Sequence, residues 1–182
     1  MRNKKLIFWS ACFGIMFFGM GITNLGYIKS GLELKFSLDE IASGTLFSIL
    51  PFGILFGSLL FGPFCDKYGY RIILSLTCLS MFLGFEGIAY APSHGLLKLS
   101  IFLFGLGGGA INGGTSALVS DISDKGKGAN LSLLGVFFGI GALGTPFLIG
   151  VLENKFNYET ILSVVGLATL AMEAFYFLIK FT

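Results

Sequence analysis

Asn24, Asn112, Thr115 and Ser116 are polar side chains set inside long apolar stretches of a 182-residue chain. An amide carries a donor and an acceptor on one short stem, and a hydroxyl carries both on one oxygen. Groups of this kind suit hydrogen bonding to a small polyol. Residues at i, i+3 and i+4 are neighbours on a helix, so Asn112, Thr115 and Ser116 are expected on one face. The same groups can instead bridge adjacent membrane helices, each bond contributing about 0.6 kcal/mol. Glu86 and Glu173 also fall within apolar stretches, where an ionisable group is a functional candidate by default. Glu86 lies near the end of its stretch, where snorkelling or pairing with Lys98 is an alternative. No catalytic residues, cofactor or metal site are expected. The single histidine, His94, sits in the polar break Pro92-Ser-His-Gly95 and reads as a solvated loop residue. An intramembrane protease would need a histidine inside the apolar stretches. Cys12, Cys65 and Cys78 lack ligand spacing and read as small apolar residues.

The elements that must position these groups follow from composition. The chain is 54% hydrophobic, 15% aromatic and 12% charged, too apolar for a soluble domain of this size. The bilayer is therefore its solvent, and a net charge of +2 gives no reason to expect nucleic acid as a partner. A spanning helix needs roughly 20 apolar residues. Six stretches meet that length, at 6–28, 41–64, 72–91, 99–120, 129–152 and 160–179. Helices rather than barrel strands are expected, because the runs are apolar on every side and a lipid-exposed backbone must satisfy its own hydrogen bonds. Arg2, Lys4 and Lys5 precede an apolar run longer than a signal peptide's core, so that run is read as a span. Ser37-Leu-Asp-Glu40 has the pattern of a capping box opening the second span.

Six spans place both termini on one side. Arg2, Lys4, Lys5, Lys67, Arg71, Lys125, Lys127 and Lys180 fall on that side, eight of the 12 basic residues; Lys29, Lys35, Lys98 and Lys155 fall on the other. Excess positive charge marks the cytoplasmic face, so both termini are expected in the cytoplasm of a protein of the cell (inner or plasma) membrane.

Between the second and third stretches lies Gly62-Pro-Phe-Cys-Asp66-Lys67-Tyr-Gly69-Tyr-Arg71, a charged segment flanked by uncharged runs at 41–64 and 72–85. Buried mid-bilayer, each of its charges would cost roughly 2.5–3.5 kcal/mol, so it belongs at a membrane face. Gly62, Asp66, Lys67, Gly69 and Arg71 match the pattern Gly-x-x-x-Asp-(Arg/Lys)-x-Gly-x-(Arg/Lys). This resembles the signature loop between the second and third helices of the major facilitator superfamily, with Tyr70 where a second basic residue is frequent. Gly113 to Asp121 and Phe137 to Pro146 look like the sugar-permease branch that contains fucose–proton symporters. The resemblance covers about 17–150.

It implies an all-α fold of six helices in two inverted three-helix repeats, half of a twelve-helix transporter. Gly21-Ile-Thr-Asn24-Leu-Gly26 and Gly109-Ala-Ile-Asn112-Gly-Gly114 echo one another in keeping with such repeats. The resemblance also places the first and fourth helices beside a central cavity, so Asn24, Asn112, Thr115 and Ser116 would face the solute. Gly62, Asp66, Lys67, Gly69 and Arg71 would form the gating loop. The third and sixth helices, with Glu86 and Glu173, would be peripheral. The first and fourth helices carry no carboxylate within the membrane, a departure from the proton symporters of that branch.

Glycines 105, 107, 108, 109, 113 and 114 crowd the fourth stretch, Gly53 and Gly57 the second, and Gly135, Gly139, Ala142, Pro146 and Gly150 make one small-residue face on the fifth. Small residues let membrane helices approach closely, and Pro146 is expected to kink its helix. Transport of a small polar solute, a sugar by the branch resemblance, is the function implied. It would need a second six-helix half, from a longer or split gene or a second copy. A six-helix assembly protein, or a half-size dimeric transporter for another solute, would share the hydrophobic pattern, and the former would not need the loop.

Overall fold

The computed structural model describes residues 2–152 and 155–179. Lys180 and the chain end at Phe181-Thr182 lie outside the described residues. Five helical elements follow in order: α1 Arg2–Phe36, α2 Glu40–Tyr90, α3 His94–Ile122, α4 Lys127–Leu152 and α5 Tyr158–Leu178. All five are long and apolar enough to cross a membrane. Six were expected; the difference lies in α2.

At 51 residues, α2 would extend about 76 Å if straight, more than twice the roughly 30 Å hydrocarbon core. It is not straight. Gly69, at φ 79° and ψ 162°, is its one non-helical residue. Going along the first limb, Gly53, Gly57 and Phe61 abut α3 near 105, 106–110 and 114, so the numbers rise together. Along the second limb, Thr77, Gly84 and Gly87 abut 107, 104 and 100, so they run oppositely. The two limbs are therefore antiparallel, and the chain reverses at Gly69. Only glycine takes this backbone without a Cβ penalty. The charged segment is thus helical up to the reversal, rather than a loop from Gly62 to Arg71.

The glycines of α3 explain how both limbs reach it. A Cβ on Gly53 would sit 2.6 Å from the Phe102 carbonyl, and one on Gly105 would sit 2.6 Å from the Leu50 carbonyl. Gly107 faces the Thr77 carbonyl in the same way, at 2.6 Å. These backbones are in contact, which side chains would prevent. By contrast Gly135, Gly139 and Gly150 on α4 have nothing near them among the described residues, so the small-residue face of α4 is open at these glycines, whereas at Ala142 its backbone abuts Gly19 of α1. That helix continues through Pro146 to Leu152.

α1 runs eight residues beyond the expected end at Ile28. Lys29, Glu33 and Lys35 made that segment look like a loop, yet Leu32 is fully buried in the core and Lys29 pairs with Glu33 at 3.7 Å. Glu33 also accepts from Ser43 Oγ of α2. Ser37 then ends α1 in the left-handed region, φ 49°, and Leu38 N–H bonds the Glu33 carbonyl at 2.9 Å. That is the six-to-one bond of a Schellman cap. Ser37 therefore closes α1 and does not open α2. The N-cap of α2 is Asp39, whose carboxylate accepts from Ala42 N–H at 2.7 Å.

Phe85, Met81, Phe104, Ile101 and Ile111 form the centre of the core. Tyr176 of α5 is fully buried, and its hydroxyl donates to the Ser10 carbonyl of α1 at 2.7 Å.

Candidate functional site

The structure separates the four expected solute-facing residues. Asn112 is exposed and Ser116 half-buried. Both line a groove of about 310 Å³ between α3, Ile15 and Phe18 of α1, and Leu131, Leu134, Gly135 and Phe138 of α4. The Phe18 and Phe138 rings lie 5.9 Å apart at its wall. Thr115 is turned away. It is fully buried, and its hydroxyl donates to the Ile111 carbonyl at 2.7 Å. From Asn112, position i+3 lies about 60° one way round the helix and i+4 about 40° the other; the groove takes the second.

Asn24 does not line the groove. It is 1% exposed, and neither its amide nitrogen nor its oxygen has a hydrogen-bond partner among the described residues. An unsatisfied buried polar group costs about 1–3 kcal/mol. The echoed asparagines 24 and 112 thus occupy opposite environments, one sealed and one open. Thr23 bonds the carbonyls of Gly19 and Met20 within its own helix.

At the reversal, the signature residues divide their work. Tyr70 donates to the Asp121 carboxylate at 2.6 Å, and its ring lies 6.3 Å from that of Phe61. Arg71 Nε donates to the Phe177 carbonyl at 2.6 Å, and its guanidinium stacks 4.7 Å from the Phe177 ring. The segment is thereby tied to the end of α3 and the end of α5. Lys67 lies over the Tyr68 ring at 5.1 Å. Asp66 is exposed and has no hydrogen bond or ion pair among the described residues. Gly62 has open space beside it.

Glu86 is held by Ser163 of α5, whose hydroxyl lies 2.8 and 2.9 Å from the two carboxylate oxygens. Lys98 is not its partner among the described residues. At Glu173 the bond to α2 uses the backbone carbonyl, which accepts from Ser75 Oγ at 3.4 Å. His94 is not a loop residue. It begins α3, its ring lies 6.2 Å from Phe36, and its Nε2 is buried without a partner. The three cysteines are free and buried, and no cluster of metal-binding side chains occurs among the described residues.

One contact carried no sequence signal. Lys4 pairs with Asp124 at 2.7 Å, joining the start of α1 to the α3–α4 connection. The partners are 120 positions apart, and nothing local links them.

Comparison with known proteins places these features in a family. The model of the Major Facilitator Superfamily matches residues 11–181. The putative metabolite transport protein YncC of Bacillus subtilis is 39% identical over 124 residues, which is 65% of this chain and 25% of the relative. The 4-hydroxybenzoate transporter PcaK of Pseudomonas putida is 27% identical over 165 residues, 88% of this chain and 36% of the relative. The probable plastidic glucose transporter 1 of Arabidopsis thaliana is 29% identical over 124 residues, 66% of this chain and 24% of the relative. The chain thus spans between 24% and 36% of the length of these relatives, whose names cover unlike solutes. With its apolar helices of membrane length, the chain is an integral membrane protein that belongs to the Major Facilitator Superfamily.

Proposed function

We propose that the chain is the N-terminal half of a secondary transporter that moves a small uncharged polar solute, of the sugar class, by alternating access. The observation that carries this reading is the lining of the α1–α3–α4 groove. It combines an exposed amide and a hydroxyl, Asn112 and Ser116, with the Phe18 and Phe138 rings, and among the described residues no charged side chain lines it. A sugar needs hydrogen bonds for its hydroxyls and an apolar surface for its C–H face. An aromatic acid, the solute named for PcaK, would bring a carboxylate that calls for a cation.

In this reading the limbs of α2 are two spans, making six, arranged as two inverted three-helix units with both ends of the chain on the cytoplasmic side of the cell membrane. A second six-helix half, in a longer chain or in a second copy, completes the path. Gly62, Asp66, Lys67, Gly69 and Arg71 form a cytoplasmic gate, whose ties to α3 and α5 let it respond when the halves move. Thr115 and Asn24 serve packing rather than solute contact.

The deciding experiment is uptake of radiolabelled hexoses and of 4-hydroxybenzoate by cells carrying the complete gene. Saturable hexose uptake that unlabelled 4-hydroxybenzoate does not inhibit is expected. Uptake of 4-hydroxybenzoate alone would overturn the solute class, and uptake of neither would overturn both.

A further inference from the structure

Two grooves meet at Trp9, and neither belongs to the proposed solute path. The first, of about 420 Å³, is lined by Lys4, Lys5, Phe8, Trp9, Ser123 and Asn130. Lys4 is neutralised by Asp124 at 2.7 Å. Lys5 is exposed and has no ion pair among the described residues, which leaves the groove with one uncompensated positive charge. The second, of about 460 Å³, is an apolar trough between α1 and α5, walled by Leu6, Trp9, Phe13, Phe17, Met172 and Phe175. From Leu6 to Phe17 the trough follows α1 for about 16 Å, roughly half of the 30 Å hydrocarbon core. That is the depth of one leaflet.

We propose that these grooves together form a binding site for one anionic glycerophospholipid of the leaflet at the N-terminal end of α1. The phosphate lies against Lys5, with the second amide N–H of Asn130 nearby, the first being donated to Ser123 Oγ at 2.9 Å, and one acyl chain follows the trough. Trp9, common to both grooves and 47% exposed, marks the boundary between headgroup and chain, the depth at which an indole is favoured. Charge complementarity selects an acidic headgroup, and the adjoining trough selects a lipid over a free phosphate.

Trp9 is the only tryptophan in the chain, so its emission reports the site directly. The chain is reconstituted with increasing mole fractions of dibrominated phosphatidylglycerol or dibrominated phosphatidylcholine. A basic residue near an anionic surface contributes about 1 kcal/mol, equivalent to about fivefold. Half-maximal quenching should accordingly need about fivefold less of the acidic lipid. Lys5→Gln should bring the two curves together, and Lys125→Gln, outside the groove, should leave them apart. Coincident curves for the unmodified chain would overturn the proposal, as would absence of quenching by either lipid, which would mean that a protein segment covers the trough. Equal loss of preference in both variants would reduce it to general surface charge. Recovery of emission on adding soluble glycerol 3-phosphate would reassign the site to a free phosphate ester.

Discussion

The Tyr70 hydroxyl donates to the Asp121 carboxylate at 2.6 Å, fastening the residue after the reversal to the last turn of α3. The superfamily pattern often has a base at this place, which would meet Asp121 as an ion pair. Here the tie is a hydrogen bond to a carboxylate, about twice as strong as a neutral one, and its 2.6 Å length lies in the range of such bonds. Tyr70→Phe should lower stability by about 1.5–3 kcal/mol. Asp121→Asn keeps an acceptor oxygen without the charge and should cost about half as much. Denaturant melts of both variants in detergent test this; no loss for Asp121→Asn would show that the charge contributes nothing.

Gly69 has open space where a Cβ would stand, so substitution there is limited by backbone alone. At φ 79° and ψ 162° the backbone lies in a region essentially confined to glycine, and any side chain there is strained by about 1–3 kcal/mol. Gly69→Ala and Gly69→Val should therefore lose similar stability in denaturant melts. A loss confined to Gly69→Val would point to a steric contact instead of a backbone requirement.

The glycine-rich α3 was legible as a packing surface, because small residues have few other uses in a membrane helix. Its partners were not, since nothing in the spacing says that Gly105 meets Gly53 while Gly107 meets Thr77. The end of α1 was misjudged because Lys29, Glu33 and Lys35 outweighed one residue, Leu32, whose burial decides the matter. Ser37 and Asp39 both look like caps, and only the left-handed backbone at Ser37 assigns them to different helices. Asn112 and Ser116, singled out from sequence, both line the α1–α3–α4 groove. Thr115, grouped with them, is buried away from it, because a one-residue step turns a side chain by about 100°.

Packed and open glycines give opposite expectations. Gly53→Val places a branched side chain against the Phe102 carbonyl, already 2.6 Å from a bare Cβ. It should separate α2 from α3 and sharply reduce the yield of folded protein. Gly139→Val meets nothing within this chain and should leave folding of the 182-residue chain intact. If the open face of α4 receives a second half, Gly139→Val will instead impair association or transport in the complete protein. Size-exclusion profiles of the two variants separate these outcomes.

Orientation is checked by thiol labelling in intact cells, after replacing Cys12, Cys65 and Cys78. α3 has 29 residues, about 44 Å, so the connections at its two ends emerge on opposite faces if it spans. The proposed topology has the α3–α4 connection inside. Ser93→Cys should react with an impermeant reagent, and Lys125→Cys should react only after permeabilisation. The reverse pattern would invert the proposed topology.

Asn24 and Asn112 give the sharpest contrast, since the same side chain is sealed at one and open at the other. Asn24 has no partner for its amide, so replacing it with the similarly sized Leu removes a desolvation cost of about 1–3 kcal/mol. Asn24→Leu should raise thermal stability and leave solute affinity unchanged. Asn112→Ala should do the opposite: an uncharged hydrogen bond is worth about 0.5–1.5 kcal/mol, so affinity should fall several-fold while the melting temperature holds. Both quantities are measured on the same purified complete protein. Loss of affinity in Asn24→Leu would mean that the sealed pocket opens to solute during transport. Loss of stability with intact affinity in Asn112→Ala would make that residue a helix bridge and remove the amide from the proposed solute site, leaving Ser116 as its only polar side chain.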